Sequence, residues 1–243
     1  MTPFSISLIV FACVFGGALA GLGLRAVLPE HHRSTESKDV VKAAMGLIGT
    51  ISALVLGLLV ASAKGSYDTR KDELTALSAD VTLLDRVLAH YGPETRDART
   101  VLRNAVAHAL AQISDPGAKA LENESLFDTV AELAPKGDSQ RALQAQASSL
   151  MIDIGRTRWL MFAQEGSSIS IPLLVVVVFW LTVNFVSFGL FANRNATVSV
   201  VLLVAALSVA GAIFLILEMD RPFEGLIRIS DAPLRGALTQ LGR

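Results

Sequence analysis

Residues 43–63 read AAMGLIGTISALVLGLLVASA, a run without a single Lys, Arg, Asp or Glu, and residues 64–73 then read KGSYDTRKDE. An α-helix rises 1.5 Å per residue, so about 20 apolar residues cover the roughly 30 Å hydrocarbon core of a bilayer. The first stretch is therefore long enough to span, and the charged decapeptide marks where it leaves the apolar layer. Three further runs of the same kind lie at Phe4 to Leu24, Ile169 to Phe191 and Thr197 to Leu217. Inside a bilayer every backbone group needs an internal partner, which only helices and closed barrels provide, and the strand-period alternation of a barrel is absent.

Composition agrees. Hydrophobic residues make up 52% of the 243 and charged residues 18%, under the roughly 25% of soluble domains, so a membrane class is expected. A formal net charge of −1 carries no basic surplus for neutralising phosphates, and nucleic acid is not an expected partner. The lone Cys13 excludes an intramolecular disulfide and a cysteine-based metal cluster. Ala18 and Ala20 imitate a signal-peptidase site, but no Lys or Arg precedes the first run, so a retained first helix is expected.

Between the second and third runs, Lys64 to Ser168 is polar and amphipathic, broken by turn signals at Gly92-Pro93, Asp115-Pro116-Gly117 and Pro135-Lys136-Gly137. Four helices are expected there. Leu74, Leu77, Val81, Leu84 and Leu88 recur at spacings of three and four, a coiled-coil-like seam that follows directly on the second span and predicts one unbroken helix. Leu102, Val106, Ala109, Leu110 and Ile113 mark a face of the next helix, a short piece surrounds Leu121 to Leu133, and Ser139 to Gln164 forms the last. The expected fold is all-α: a four-transmembrane-helix protein with a cytoplasmic helical segment between spans two and three. Its divisions are a first helix pair in 1–64, a cytoplasmic helical domain in 65–168, a second pair in 169–218 and a cytoplasmic tail in 219–243.

Orientation follows from Lys and Arg near the membrane ends. One side has Arg25, Arg33, Lys38, Lys42 and Arg194, while the other has Lys64, Arg70, Lys71, Arg156, Arg158, Arg221, Arg228 and Arg235. The excess places both termini and the helical domain in the cytoplasm.

Within the second span Gly49, Ala53, Gly57 and Ala61 put a small residue at every fourth position, a pattern that lets membrane helices approach closely. Gly17 and Gly21 form a GxxxG in the first span with the same capacity. Rotated from the small row of the second span are Ile48, Ser52, Leu56 and Val60, or alternatively Ile51, Val55 and Leu59, rows able to build a hydrophobic constriction. Asn184 is the one strongly polar side chain deep in the third span and is expected to bond to a neighbouring helix. No GxxxxGK[ST], HExxH or GxSxG occurs, and His31-His32 beside Glu30 reads as a solvated loop, so no catalytic residue, cofactor or metal site is expected.

Two charged motifs at the membrane edge carry a resemblance. Lys64, Tyr67, Asp68 and Arg70 close the second span, and Glu218, Asp220, Pro222, Phe223 and Gly225 follow the fourth. The first resembles the end of the second membrane helix in bestrophins, the second resembles their acid-x-Pro-Phe-Gly element, and the layout of spans is similar to that of the bacterial bestrophin-like group. Thr69-Arg70 stands where bestrophins have a Trp pair, and Leu226-Ile227-Arg228 where they have acids, so no calcium site is implied. The resemblance implies a homo-oligomer, a pentamer, in the bacterial inner membrane, passing monovalent ions along a central pathway lined by second helices. Counted back from Lys64, it places the neck at Ile48, Ser52 and Leu56, where a serine departs from the bulky residue of the family. The alternative is a membrane-anchored signalling module acting through the cytoplasmic helices.

Overall fold

A computed structural model describes residues 2–27, 35–114, 124–163, 169–192, 195–221, 223 and 225–242. Among these the chain forms eight α-helices and no strand: α1 (Pro3–Val27), α2 (Thr35–Tyr91), α3 (Arg96–Ser114), α4 (Glu124–Ala131), α5 (Asp138–Ala163), α6 (Ile171–Phe191), α7 (Ala196–Met219) and α8 (Ala232–Gln240), with a 3₁₀ turn at Pro93–Thr95. Four of them, α1, α2, α6 and α7, are long and apolar enough to cross a membrane. The helix α2 runs without a break through the charged decapeptide, so the second span and the leucine seam are one element. Asp115-Pro116-Gly117, His31 and His32 lie outside the described residues.

The described chain divides into two compact units, Met1–Tyr67 with Ser167–Ile227 and Asp68–Gly166 with Arg228–Arg243. Each takes part of α2. The expected C-terminal tail is shared out, 219–227 with the membrane helices and 228–243 with the polar helices.

In the first unit α1 packs on α6 and α7. Val10, Val14, Ala18 and Leu22 fall at every fourth position of α1 and are buried with Leu174, Val177 and Phe185 of α6 and Leu202, Ala206, Ile213 and Ile216 of α7. The α1–α6 approach is set by glycine: a methyl group on Gly21 would overlap the carbonyl oxygen of Val186, and one on Gly189 the carbonyl oxygen of Ala18. Dispersion between closely packed backbones holds such helices together, because lipid offers no hydrophobic drive to associate. Pro172 sits in the first turn of α6, where its missing N–H costs nothing, and Asn195 Oδ1 caps α7 by accepting from the amide of Val198 at 2.9 Å.

In the second unit the whole seam Leu74, Leu77, Val81, Leu84 and Leu88 is buried. α2 stops at Gly92, whose φ of 136° is open to glycine, and Pro93 then starts the 3₁₀ turn. The Thr95 hydroxyl, fully enclosed, donates to the carbonyl of Leu88 at 2.6 Å, and Gln140 Nε2 donates to the carbonyl of Tyr91 at 3.0 Å. Arg99 grips Asp85 through Nε and a terminal nitrogen at 2.7 and 2.9 Å, while the amide of Gly242 donates to the same carboxylate at 3.3 Å. One buried acid therefore ties α2, α3 and the end of the chain together.

Candidate functional site: the second and fourth membrane helices

The apolar part of α2 is the least covered of the four spans. Only 11% of its apolar window is buried, against 39%, 33% and 28% in α1, α6 and α7. What the rest of the chain does cover is one narrow face: Ser52, Leu59 and Ala63 are buried, with Val55 and Leu56 partly so. Successive residues turn by about 100°, so the opposite face carries Leu47, Thr50, Leu54, Leu58 and Ala61. Leu47, Leu54 and Leu58 are 63%, 70% and 63% exposed.

This placement separates the expected rows. Ser52 has no exposed surface, so the Ile48, Ser52 and Leu56 row lies on the face turned toward the rest of the chain, and the Ser52 hydroxyl donates within its own helix to the carbonyl of Ile48 at 2.7 Å. Ile48 and Leu56 are half-buried. Of the alternative row, Leu59 is buried and Ile51 exposed. In the small row Ala53, Gly57 and Ala61 are exposed, a methyl on Gly57 would meet nothing within 4 Å, and Gly49 faces Asn184. The outward Leu47, Leu54 and Leu58 row was not singled out from sequence. A helix apolar on every side gives little signal of which side its neighbours occupy. Gly17 and Gly21, by contrast, both face α6, Gly17 against Thr182 and Gly21 against Val186.

Asn184 behaves differently from expectation. Its Nδ2 donates at 3.2 Å to the carbonyl of Trp180, one turn back on its own helix, and no described group on another helix bonds to it. The carboxamide satisfies its donor locally, as short polar side chains do in membrane helices.

At the membrane edge the Lys64 ammonium stands 5.5 Å from the centre of the Tyr67 ring, a cation–π distance. Asp68 is half-buried and Arg70 buried; both belong to the second unit. At the end of α7, Glu218 is 4% exposed and Asp220 buried. The chain reverses there: the amide of Arg221 donates to the carbonyl of Glu218 at 3.1 Å, and the amide of Leu226 donates to Glu218 Oε2 at 2.6 Å. Gly225, at φ 81°, lies against that carboxylate so closely that a methyl group would overlap its oxygens. Phe223 is half-buried and Pro222 lies outside the described residues. Gly225 and Leu226 thus lie against Glu218, the first residue of the motif.

The sequence matches the family model of the bestrophin-like domain over residues 12–234, from within α1 to within α8. The chain belongs to the bestrophin-like family. Nothing among curated proteins or solved structures matches it. As a bestrophin-like membrane protein it joins a channel-like family, bestrophins being ion channels. The match takes in both membrane-edge motifs, the second, third and fourth spans, and the first span from residue 12 onward.

Proposed function

We propose that this bestrophin-like protein is an ion channel, assembling as a homo-oligomer, with five copies by family, around a pathway lined by α2. The carrying observation is the uncovered face of α2, where Leu47, Leu54 and Leu58 lie open while Ser52 is enclosed. A helix with one face packed and the other bare in its own protomer suits a position at the centre of a ring. Apolar side chains contributed once per subunit form a constriction that gates by dewetting. We assign the constriction to the outward leucine row, with Ile48, Ser52 and Leu56 behind it, holding α2 against its own protomer. Monovalent ions are the proposed cargo, and no catalysis is proposed.

We place the protein in the bacterial inner membrane, and the Lys and Arg count supports an orientation with both termini cytoplasmic. Native mass spectrometry in detergent, paired with planar-bilayer recording of the same preparation, tests the reading. A five-copy mass with ionic conductance is expected. A monomeric or dimeric mass without conductance overturns it.

A further inference from the structure

Within the membrane unit, a cavity of about 530 Å³ opens between the first turns of the α2 span and the second half of α6. Its size falls in the range of about 300–1,000 Å³ typical of ligand pockets. The walls are apolar and aromatic, with Phe185, Phe188 and Phe191 along α6, and the floor is opened by Gly46 and Gly49, which carry no side chain to fill it. Lys42 is the one charged residue in the lining, it is exposed, and it makes no ion pair among the described residues. The nearest acid along α2 is Asp39, one turn earlier and also exposed.

The dimensions match one leaflet. From Leu181 to Phe191 the α6 wall runs about 15 Å, half of the roughly 30 Å hydrocarbon thickness. Lys42 immediately precedes the apolar run of α2, so its ammonium reaches the headgroup level on the side of the loop joining the first two spans. The deep end is polar at one point. Asn184, 4% exposed, lines the cavity; its Nδ2 is used on Trp180 and no described group donates to its Oδ1, which lies near Gly49.

We infer that this cavity holds a single anionic phospholipid, its phosphate at Lys42 and one acyl chain laid between Gly46, Gly49 and the phenylalanines. An apolar slot at the level of the hydrocarbon fills with an apolar chain that reaches it, and the Lys42 ammonium, without an ion pair among the described residues, favours a headgroup of net negative charge by direct Coulomb attraction. Asn184 Oδ1, near Gly49, marks the polar point at the deep end of the slot. The site stands on the span assignment alone. A protein that conducts but holds no lipid would retire this inference and leave the channel reading intact.

The test uses the full chain, stripped of lipid in detergent and titrated with phosphatidylglycerol or phosphatidylcholine, with retained lipid counted by native mass spectrometry. One phosphatidylglycerol per protomer is expected, with phosphatidylcholine held more weakly. Gly46→Leu fills the slot at a position where an added methyl meets nothing within 4 Å, and abolishes retention. Lys42→Gln, at an exposed position, lowers phosphatidylglycerol affinity about fivefold and leaves phosphatidylcholine unchanged. Wild-type retention in Gly46→Leu, or equal affinity for the two lipids, overturns the proposal. So does efficient cross-linking of Gly46→Cys between copies in a Cys13→Ser background, which would show that a neighbouring subunit fills the slot.

Discussion

The backbone amide of Leu226 donates a 2.6 Å hydrogen bond to Oε2 of the buried Glu218, eight positions earlier at the end of the fourth span. At 2.6 Å the bond is short for an amide donor and a carboxyl oxygen. It explains why a glycine precedes Leu226.

Gly225→Ala meets two obstacles at once, a φ of 81° and overlap of the new methyl with the Glu218 oxygens. A cost of about 1–3 kcal/mol is expected. Glu218→Gln keeps an acceptor oxygen for Leu226 and loses less. Thermal unfolding of both variants in the same detergent measures the order, and an equal or greater loss in Glu218→Gln contradicts it.

Gly21 and Gly189 set the approach of α1 to α6, since each would drive a methyl into the other helix's backbone. Gly189→Ala is expected to destabilise by about 1–3 kcal/mol, as overpacking does elsewhere. Gly16→Ala is the control, because a methyl there meets nothing within 4 Å. Comparable melting temperatures for the two variants would show that the glycine contact does not hold the pair.

The Asp85–Arg99 bridge has an acid 5% exposed and a guanidinium 20% exposed, and the acid keeps the Arg99 pKa above its ordinary value. Arg99→Ala strands the carboxylate and is expected to cost about 3 kcal/mol. Asp85→Ala also releases the amide of Gly242, so proteolysis at the C-terminus becomes faster in that variant. Limited digestion followed by mass spectrometry reads this directly, and an unchanged cleavage rate at the tail would sink the tether.

Asp80 is held above the ordinary 3.8, first by desolvation and then by the Asp153 carboxylate. A raised pKa in the folded state means that the stabilising contribution is complete below 3.8 and lost as pH rises through the raised value. Asp80→Asn removes the ionised form, so its melting temperature exceeds that of the wild type near neutral pH. The gap closes as the pH approaches 3.8. A pH-independent difference would show that charge is not its cause.

Much of this was legible in the residues, for reasons that differ between elements. The four spans are readable because a bilayer demands about 20 apolar residues and penalises charge. The seam from Leu74 to Leu88 is readable because half of that helix is polar, and the contrast fixes its buried side. Ser52 and Leu54 show where such contrast fails: both lie in a helix apolar all round, and only the packing of neighbours puts Ser52 inside and Leu54 outside. Glu218 and Gly225 were visible as a motif, but the reversal that brings the glycine back onto the acid depends on the φ of Gly225, which sequence spacing does not carry. Asn184 was expected to join helices and instead bonds to its own, leaving its other end to the cavity.

The central claim is that the outward face of α2 lines an ion pathway. In a Cys13→Ser background, Leu54→Cys and Ser52→Cys are reconstituted separately in planar bilayers and exposed to a charged thiol reagent while current is recorded. The account predicts conductance in both, with rapid change of current on modification of Leu54→Cys and none for Ser52→Cys. Block at Ser52→Cys with Leu54→Cys unaffected, or no conductance from an intact oligomer, would contradict it.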